Sequence, residues 1–307
     1  MADIGIIGSG TIGLFVGGKL LNAGHQVHFL ARSNFAALQD GGFKIDEKEH
    51  DGATRYHANI KVYDDLLKMP KQDYIILCTT VADNYTYLEK LKEILKPNTI
   101  IVTLQNGIHF ETEIFNAVKP NKFLSGTCWI KGSKINPTHV RHDFGLKILL
   151  GEYPESGIRP PNSEIDNFYS MMIVAGFEME LLVNYLSAQL TKLAINLPFF
   201  GLMLHYGVKQ AKIVGQHQAE LLDFQKEIID IGDKLGVEID ESYISEINTQ
   251  LGKMPEADLN PDERNRFAKE ISPNFENFFT FLGSRSLTSP KLQLLYESIC
   301  SNTNKIS

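Results

Sequence analysis

The stretch Ile4-Gly5-Ile6-Ile7-Gly8-Ser9-Gly10-Thr11-Ile12-Gly13 decides how this chain is read. A short apolar run enters a turn with glycines at three fixed places, and a helix-compatible segment, Leu14 to Ala23, follows at once. Strand, tight glycine turn and helix in that order form a dinucleotide-binding fingerprint in the context it requires. Gly8 permits the sharp turn, Gly10 lets the backbone approach a pyrophosphate, and Gly13 lets the helix pack closely on the strand. The free N–H groups and positive dipole end over Gly8, Ser9, Gly10, Thr11, Ile12 and Gly13 then face the phosphates. A second strand, Gln26 to Ala31, arrives after Asn22-Ala23-Gly24-His25 and completes the βαβ spacing.

The end of that second strand speaks to the cofactor. An acidic residue there holds the ribose 2′-hydroxyl of NAD. This chain has Phe29-Leu30-Ala31-Arg32-Ser33, with no carboxylate. Arg32 can pair bidentately with a 2′-phosphate and Ser33 can donate to it, so NADP is favoured over NAD. The plain alternative is a solvated arginine at a strand end.

Composition sets the bounds. With 307 residues the chain can hold one large or two ordinary domains with a substantial core. A net charge of −7 without a basic cluster argues against a nucleic-acid partner. Cys78, Cys128 and Cys300 lie far apart without metal-ligand spacing and read as reduced thiols of a cytoplasmic protein. The first strand starts at the N-terminus, leaving no room for a signal peptide. No apolar stretch approaches the roughly twenty residues needed to span a membrane. His139 and His142 lack a third ligand nearby, so no metal is expected.

The first half alternates strands and helices. Asp73 to Thr79 and Thr99 to Leu104 read as strands; Tyr85 to Leu95 and Phe110 to Val118 read as helices. That alternation implies a parallel sheet with covered faces. Phe123 to Lys131 and Thr138 to Leu150 read as an antiparallel extension, Pro154 to Pro161 as an exposed turn, Ile165 to Val174 as a helix and Phe177 to Val183 as a last strand. From Asn184 the pattern turns helical: Tyr185 to Asn196 continuing to Tyr206, Gln216 to Leu235 stopped by Gly236, Asp240 to Leu251, Pro261 to Ile271, Asn274 to Leu282, and Pro290 to Cys300. The expected architecture is α/β: an N-terminal Rossmann-type domain over 1–183 and a C-terminal all-helical domain over 184–307. Its apolar faces could support a homodimer.

Candidate reactive groups lie where strands end. Asn106, in Gln105-Asn106-Gly107, offers a donor and an acceptor on a short stem beside a glycine. In the helical part, Lys192 and Asn196 of Lys192-Leu193-Ala194-Ile195-Asn196 project from one helical face. A lysine in a partly dry cleft can supply a proton to a carbonyl oxygen. The plain alternatives are a simple Asn-Gly turn and an ordinary surface lysine.

These residues together resemble the ketopantoate reductase family (2-dehydropantoate 2-reductase). The resemblance rests on Gly8-Ser9-Gly10-Thr11-Ile12-Gly13, Arg32, Gln105-Asn106-Gly107, Ser125-Gly126-Thr127 and Lys192 to Asn196. It covers about the first two hundred residues in order and spacing. It implies NADPH-dependent reduction of an α-keto acid, by default ketopantoate, in pantothenate biosynthesis. Lys192 would protonate the alkoxide, and Asn106 and Asn196 would hold substrate and cofactor in register. Three family positions differ. Val81 stands where a lysine is usual, Phe200 where a second asparagine is usual, and Thr288-Ser289-Pro290 is the best match to a Thr-Glu pair but lacks the carboxylate. These departures keep open a paralogous reductase of a less polar carbonyl compound, and a non-catalytic NADPH-binding sensor.

Overall fold

The computed structural model describes residues 1–47, 52–154 and 163–303. The expected turn at Pro154 to Pro161 lies, beyond Pro154, outside the described residues. In chain order the first elements are β1 (Asp3–Ile7), α1 (Thr11–Asn22), β2 (Gln26–Leu30), α2 (Phe35–Gly41), β3 (Phe43–Glu47), β4 (Thr54–His57) and β5 (Lys61–Tyr63). There follow β6 (Gln72–Leu77), α3 (Leu88–Leu91), β7 (Leu95–Thr103), α4 (Glu111–Val118), β8 (Lys122–Asn136), β9 (His139–Tyr153), α5 (Ser163–Val174) and β10 (Glu178–Leu182). The helical run is α6 (Tyr185–Tyr206), α7 (Gln210–Gln216), α8 (Gln218–Leu235), α9 (Glu241–Gly252), α10 (Pro261–Gly283) and α11 (Pro290–Thr303).

The chain divides into two compact units. One comprises Met1–Gln105 and Glu111–Tyr185, the other Asn106–Phe110 and Leu186–Ser307. In the first unit β5, β2, β1, β6, β7 and β8 lie side by side in that order and run parallel. The order reverses at β1, the switch point of a doubly wound sheet. Ile4, Ile6 and Ile7 of β1 and Ile75, Ile76 and Leu77 of β6 are fully buried, as central strands covered on both faces require.

Several expectations change here. β8 joins β7 in parallel, and of the two strands expected as the antiparallel extension β9 alone reverses direction, forming a long hairpin with β8. One edge of β9 is shared: His139 to His142 pair with β3, and Lys147 to Gly151 with β10. The β3–β4 hairpin was not foreseen. Buried Glu47 anchors it, accepting from Arg55 Nε at 2.9 Å and facing Lys19 Nζ of α1 at 3.5 Å. The single helix expected over Tyr85 to Leu95 is instead a 3-10 stretch over Val81–Thr86, one short helix over Leu88–Leu91 and a second 3-10 turn.

In the second unit, two prolines fail to break helices. Pro198 lies inside α6 and Pro273 inside α10, so the segments expected to part at Ser272-Pro273 form one helix. A proline removes one helical hydrogen bond. Around it Ile271, Phe275, Phe278 and Phe281 are buried, and that packing outweighs the loss. A capping box of Asn260 and Glu263 starts α10. The helix α7 was missed because polar Gln210, Lys212 and Gln216 interrupt its apolar pattern. Gly236 ends α8 in the left-handed conformation, as its position beyond Leu235 predicts.

Candidate functional site

The glycine turn sits at the C-terminal end of β1. Gly8 has φ +108°, and a side chain there would press on the backbone of Cys78 and Thr79. A Cβ on Gly13 would collide with the Gly8 carbonyl oxygen, so only glycine lets α1 begin this close to its strand. Gly10 differs: a Cβ there would meet nothing within 4 Å. That open space borders the start of α1, which has no side-chain cap and no acidic residue in its first turn. An uncapped, uncrowded helix start suits a pyrophosphate, so these residues fit a dinucleotide. Thr11 and Ile12 are half-buried at this start. Ser9 is buried, and its hydroxyl donates to Asn34 Oδ1 at 2.6 Å. Asn34 Nδ2 donates back to the Ser9 carbonyl at 2.9 Å and to that of Pro137 at 3.0 Å. Asn34, which the sequence did not single out, therefore fixes the shape of the turn.

β8 runs past the same helix start, because a Cβ on Gly132 would meet Thr11. Its neighbour Lys131 stands over the Phe144 ring at 5.3 Å. Burial pushes the Lys131 ammonium below its ordinary range, against the pull of Asp143.

Arg32 lies just past β2 and is 67 % exposed in its side chain. Its Nη2 pairs with Asp83 Oδ1 at 2.8 Å. Asp83 belongs to the segment after β6, and its other oxygen accepts from Thr80 Oγ1 at 2.9 Å. Val81 is half-buried in the same segment.

The ends of β6 and β7 are knit by a buried polar network. Gln105 Nε2 reaches the Thr79 carbonyl (3.0 Å), the Thr79 hydroxyl (2.9 Å) and Asn84 Oδ1 (2.8 Å). Thr79 Oγ1 and Tyr87 OH are 2.9 Å apart, and Tyr87 OH donates to Asn84 Oδ1 at 2.6 Å. Burial pushes the Tyr87 phenol well above its usual range, so it stays a neutral donor. Asn84 and Tyr87 turn inward to meet Gln105, which holds their segment in tight turns rather than one helix.

The second unit contains Asn106, Lys192 and Asn196. Asn106 is exposed, and its neighbour Gly107 comes close to Asn274 of α10: a Cβ at Gly107 would lie 3.0 Å from Asn274 Oδ1. In α6 every residue from Ala188 to Leu204 is buried except Lys192, Asn196 and Phe200. Their spacing of four puts them on one stripe. A helix buried all round apart from one such stripe offers its chemistry there alone. Phe200 packs against Phe267 with ring centroids 5.4 Å apart.

Two further results concern the missing carboxylate. Thr288-Ser289-Pro290 opens α11 and is anchored by Glu227 of α8, which accepts from Ser289 Oγ (2.6 Å), Lys291 N (3.0 Å) and Leu292 N (3.0 Å). That triplet builds a helix start. A different carboxylate, Glu270 of α10, feels the charge of Lys192. Neighbouring protein crowds its carboxyl group. That desolvation raises its carboxyl above the usual range, while Arg266 and Lys192 pull it down.

Elsewhere, Ser125 and Thr127 are buried sheet residues, with Ser125 Oγ donating to Glu111 at 3.0 Å. His139 Nε2 lies 2.7 Å from Asp46 Oδ2, and His142 stacks on Phe15 at 4.2 Å. The three cysteines are free thiols, and burial raises that of Cys78 well above its ordinary range. Among the described residues no helix is long and apolar enough to cross a membrane.

A doubly wound sheet with this glycine turn at its switch point, followed by a helical unit, defines a Rossmann-type α/β protein. Comparison with known proteins narrows the class. Residues 4–155 match the family model described as Ketopantoate reductase PanE/ApbA. A 2-dehydropantoate 2-reductase of Nostoc sp. is 31 % identical over 202 residues, covering 64 % of this chain and 61 % of that protein. The chain thus aligns with less than two thirds of that relative's length. The crystal structure of 2-dehydropantoate 2-reductase from Methylococcus capsulatus superposes with a TM-score of 0.81 at 22 % identity, covering 99 % of this chain and 98 % of that one. D-mandelate dehydrogenase with NADH and anilino(oxo)acetate superposes equally well, with a TM-score of 0.81 at 16 % identity and 99 % of both chains covered. Over residues 4–155 the chain is similar to the ketopantoate reductase family.

Proposed function

We propose that this protein is an NADPH-dependent reductase of a small α-keto acid, with 2-dehydropantoate as the first substrate to try. In this reading residues 1–183 bind the cofactor and 184–307 carry the substrate-facing groups. The observation that carries it is the α6 stripe, where Lys192 and Asn196 reach the surface of an otherwise buried helix.

When bound, the reduced nicotinamide supplies the hydride. The chain supplies the rest. The uncapped start of α1 receives the diphosphate, and Arg32 pairs with the 2′-phosphate. Lys192 gives a proton to the ketone oxygen as negative charge grows there. Asn196, one turn along, orients the substrate, and Asn106 holds the reacting groups in register. A positioned acid of this kind contributes about a hundred- to ten-thousand-fold in rate.

Phe200 favours a second reading, a less polar carbonyl substrate. It stands on the stripe beside the two polar groups and packs on Phe267, making that part of the surface apolar. The keto-acid analogue named with the structurally similar D-mandelate dehydrogenase carries an aromatic ring, which is in keeping with this reading. A third reading, a sensor that binds NADPH without turnover, leaves the Lys192–Asn196 stripe without a role.

The deciding experiment follows NADPH oxidation with 2-dehydropantoate and a panel of aliphatic and aromatic keto acids. Turnover with 2-dehydropantoate supports the first reading, and turnover with aromatic keto acids alone supports the second. Tight NADPH binding with no turnover on any compound overturns both.

A further inference from the structure

We propose that Asp83 sets the cofactor preference of the nucleotide site, by competing with a 2′-phosphate for Arg32 and by offering an acceptor to a 2′-hydroxyl. The inference rests on the nucleotide reading above and goes beyond it, because it concerns which nucleotide the site prefers.

Position comes first. In the sheet β1 lies between β2 and β6. Arg32 follows the end of β2, Asp83 follows the end of β6, and the glycine turn follows β1 between them. With neighbouring strands about 4.8 Å apart, the outer two are separated by roughly 10 Å. The 2.8 Å ion pair therefore joins the two loops that flank the glycine turn. In this fold the adenosine ribose lies beside the end of the second strand.

Chemistry comes second. Asp83 is not a loose surface carboxylate: Thr80 Oγ1 holds Oδ2 at 2.9 Å, the Asp83 N–H donates to the Thr80 carbonyl at 3.0 Å, and the side chain is only 27 % exposed. Oδ1 is thereby aimed at Arg32. The guanidinium, 67 % exposed, keeps other N–H groups for a second anion. A 2′-phosphate reaching Arg32 must share it with this fixed carboxylate and suffers like-charge repulsion from it. A 2′-hydroxyl has neither difficulty and can donate to the carboxylate, the role an acidic residue fills at the end of the second strand in NAD-preferring sites. That strand end has no acid here; a carboxylate from the β6 loop arrives at the same arginine instead. An exposed ion pair adds little to folding, so its consequence lies in what it does to an arriving anion.

The test measures dissociation constants of NADPH and NADH by fluorescence titration for the wild type, Asp83→Asn, Arg32→Ala and the double variant. Asparagine keeps an oxygen for Thr80 and removes only the charge. In Asp83→Asn the ratio of the NADH to the NADPH constant should rise about five- to tenfold, the size expected for removing one nearby like charge in a partly exposed site. On the Arg32→Ala background the same change should still raise the ratio, but by less than in the wild type, because the competition for Arg32 is gone while the direct charge and hydroxyl effects of Asp83 remain. A ratio that stays put or falls in Asp83→Asn, while both nucleotides still bind, overturns the role of Asp83 and leaves the nucleotide reading standing. Failure of the wild type and every variant to bind either nucleotide overturns both.

Discussion

Gln105 and Thr79 are joined twice: the amide nitrogen of Gln105 donates to the carbonyl of Thr79 at 3.0 Å and to its hydroxyl at 2.9 Å. One side chain thus fixes how β6 and β7 end. Gln105 closes the first segment of its unit, and the next residue, Asn106, belongs to the second unit. Gln105 is 2 % exposed, so its bonds are made away from bulk water. Gln105→Ala should therefore cost about 1–3 kcal/mol, because the Thr79 carbonyl loses its Gln105 donor while Asn84 and the Thr79 hydroxyl keep only Tyr87. Urea denaturation followed by circular dichroism reads the loss; a change below about 0.5 kcal/mol would show the network to be dispensable.

Arg32→Ala should weaken NADPH by about ten- to a hundredfold, as expected for loss of a charge-assisted bidentate contact, and NADH by less than about threefold. Equal losses for the two nucleotides would remove Arg32 from the 2′-phosphate.

Lys192→Ala should lower kcat by about a hundred- to ten-thousand-fold and leave the NADPH dissociation constant within about twofold. The lysine is half-buried on the open stripe, so its removal leaves no sealed cavity and the melting temperature should hold. Undiminished kcat would exclude it as the proton source.

Phe200→Asn should shift turnover from apolar toward hydroxylated keto acids, seen as a change of at least about tenfold in the ratio of kcat/KM between the two groups. Its ring contact with Phe267 is lost at a cost of about 1 kcal/mol. An unchanged ratio would mean that the substrate never meets this ring.

Glu227→Gln should destabilise the protein by about 1–2 kcal/mol, because the carboxylate holds Ser289 and two backbone N–H groups at the start of α11. Cofactor binding should be unchanged. A variant that melts with the wild type would make the anchor incidental.

Much of the scaffold was legible because it is written in local rules. The glycine turn, the strands on either side of it, the αL stop at Gly236 and the helix start at Pro261 each depend on a few consecutive residues. Where the reading went astray, distant contacts had overridden local preference. Tyr85 to Leu95 carries a helical pattern, but Asn84 and Tyr87 are drawn to Gln105, and the helix breaks into turns. Ser272-Pro273 reads as a break, but buried phenylalanines carry α10 through it. Polar residues within α7 hid its period.

The candidate site divides in the same way. The chain's order of residues determined the nucleotide turn, the arginine after β2 and the four-residue spacing of Lys192, Asn196 and Phe200, because turns and helices are fixed by neighbours along the backbone. Only tertiary structure decided that Asn34 locks the turn, that Glu227 claims the triplet at 288–290, and that Asp83 meets Arg32. Each joins residues at least twenty-five positions apart, and such pairings are set by how strands order and helices pack, which no local pattern encodes.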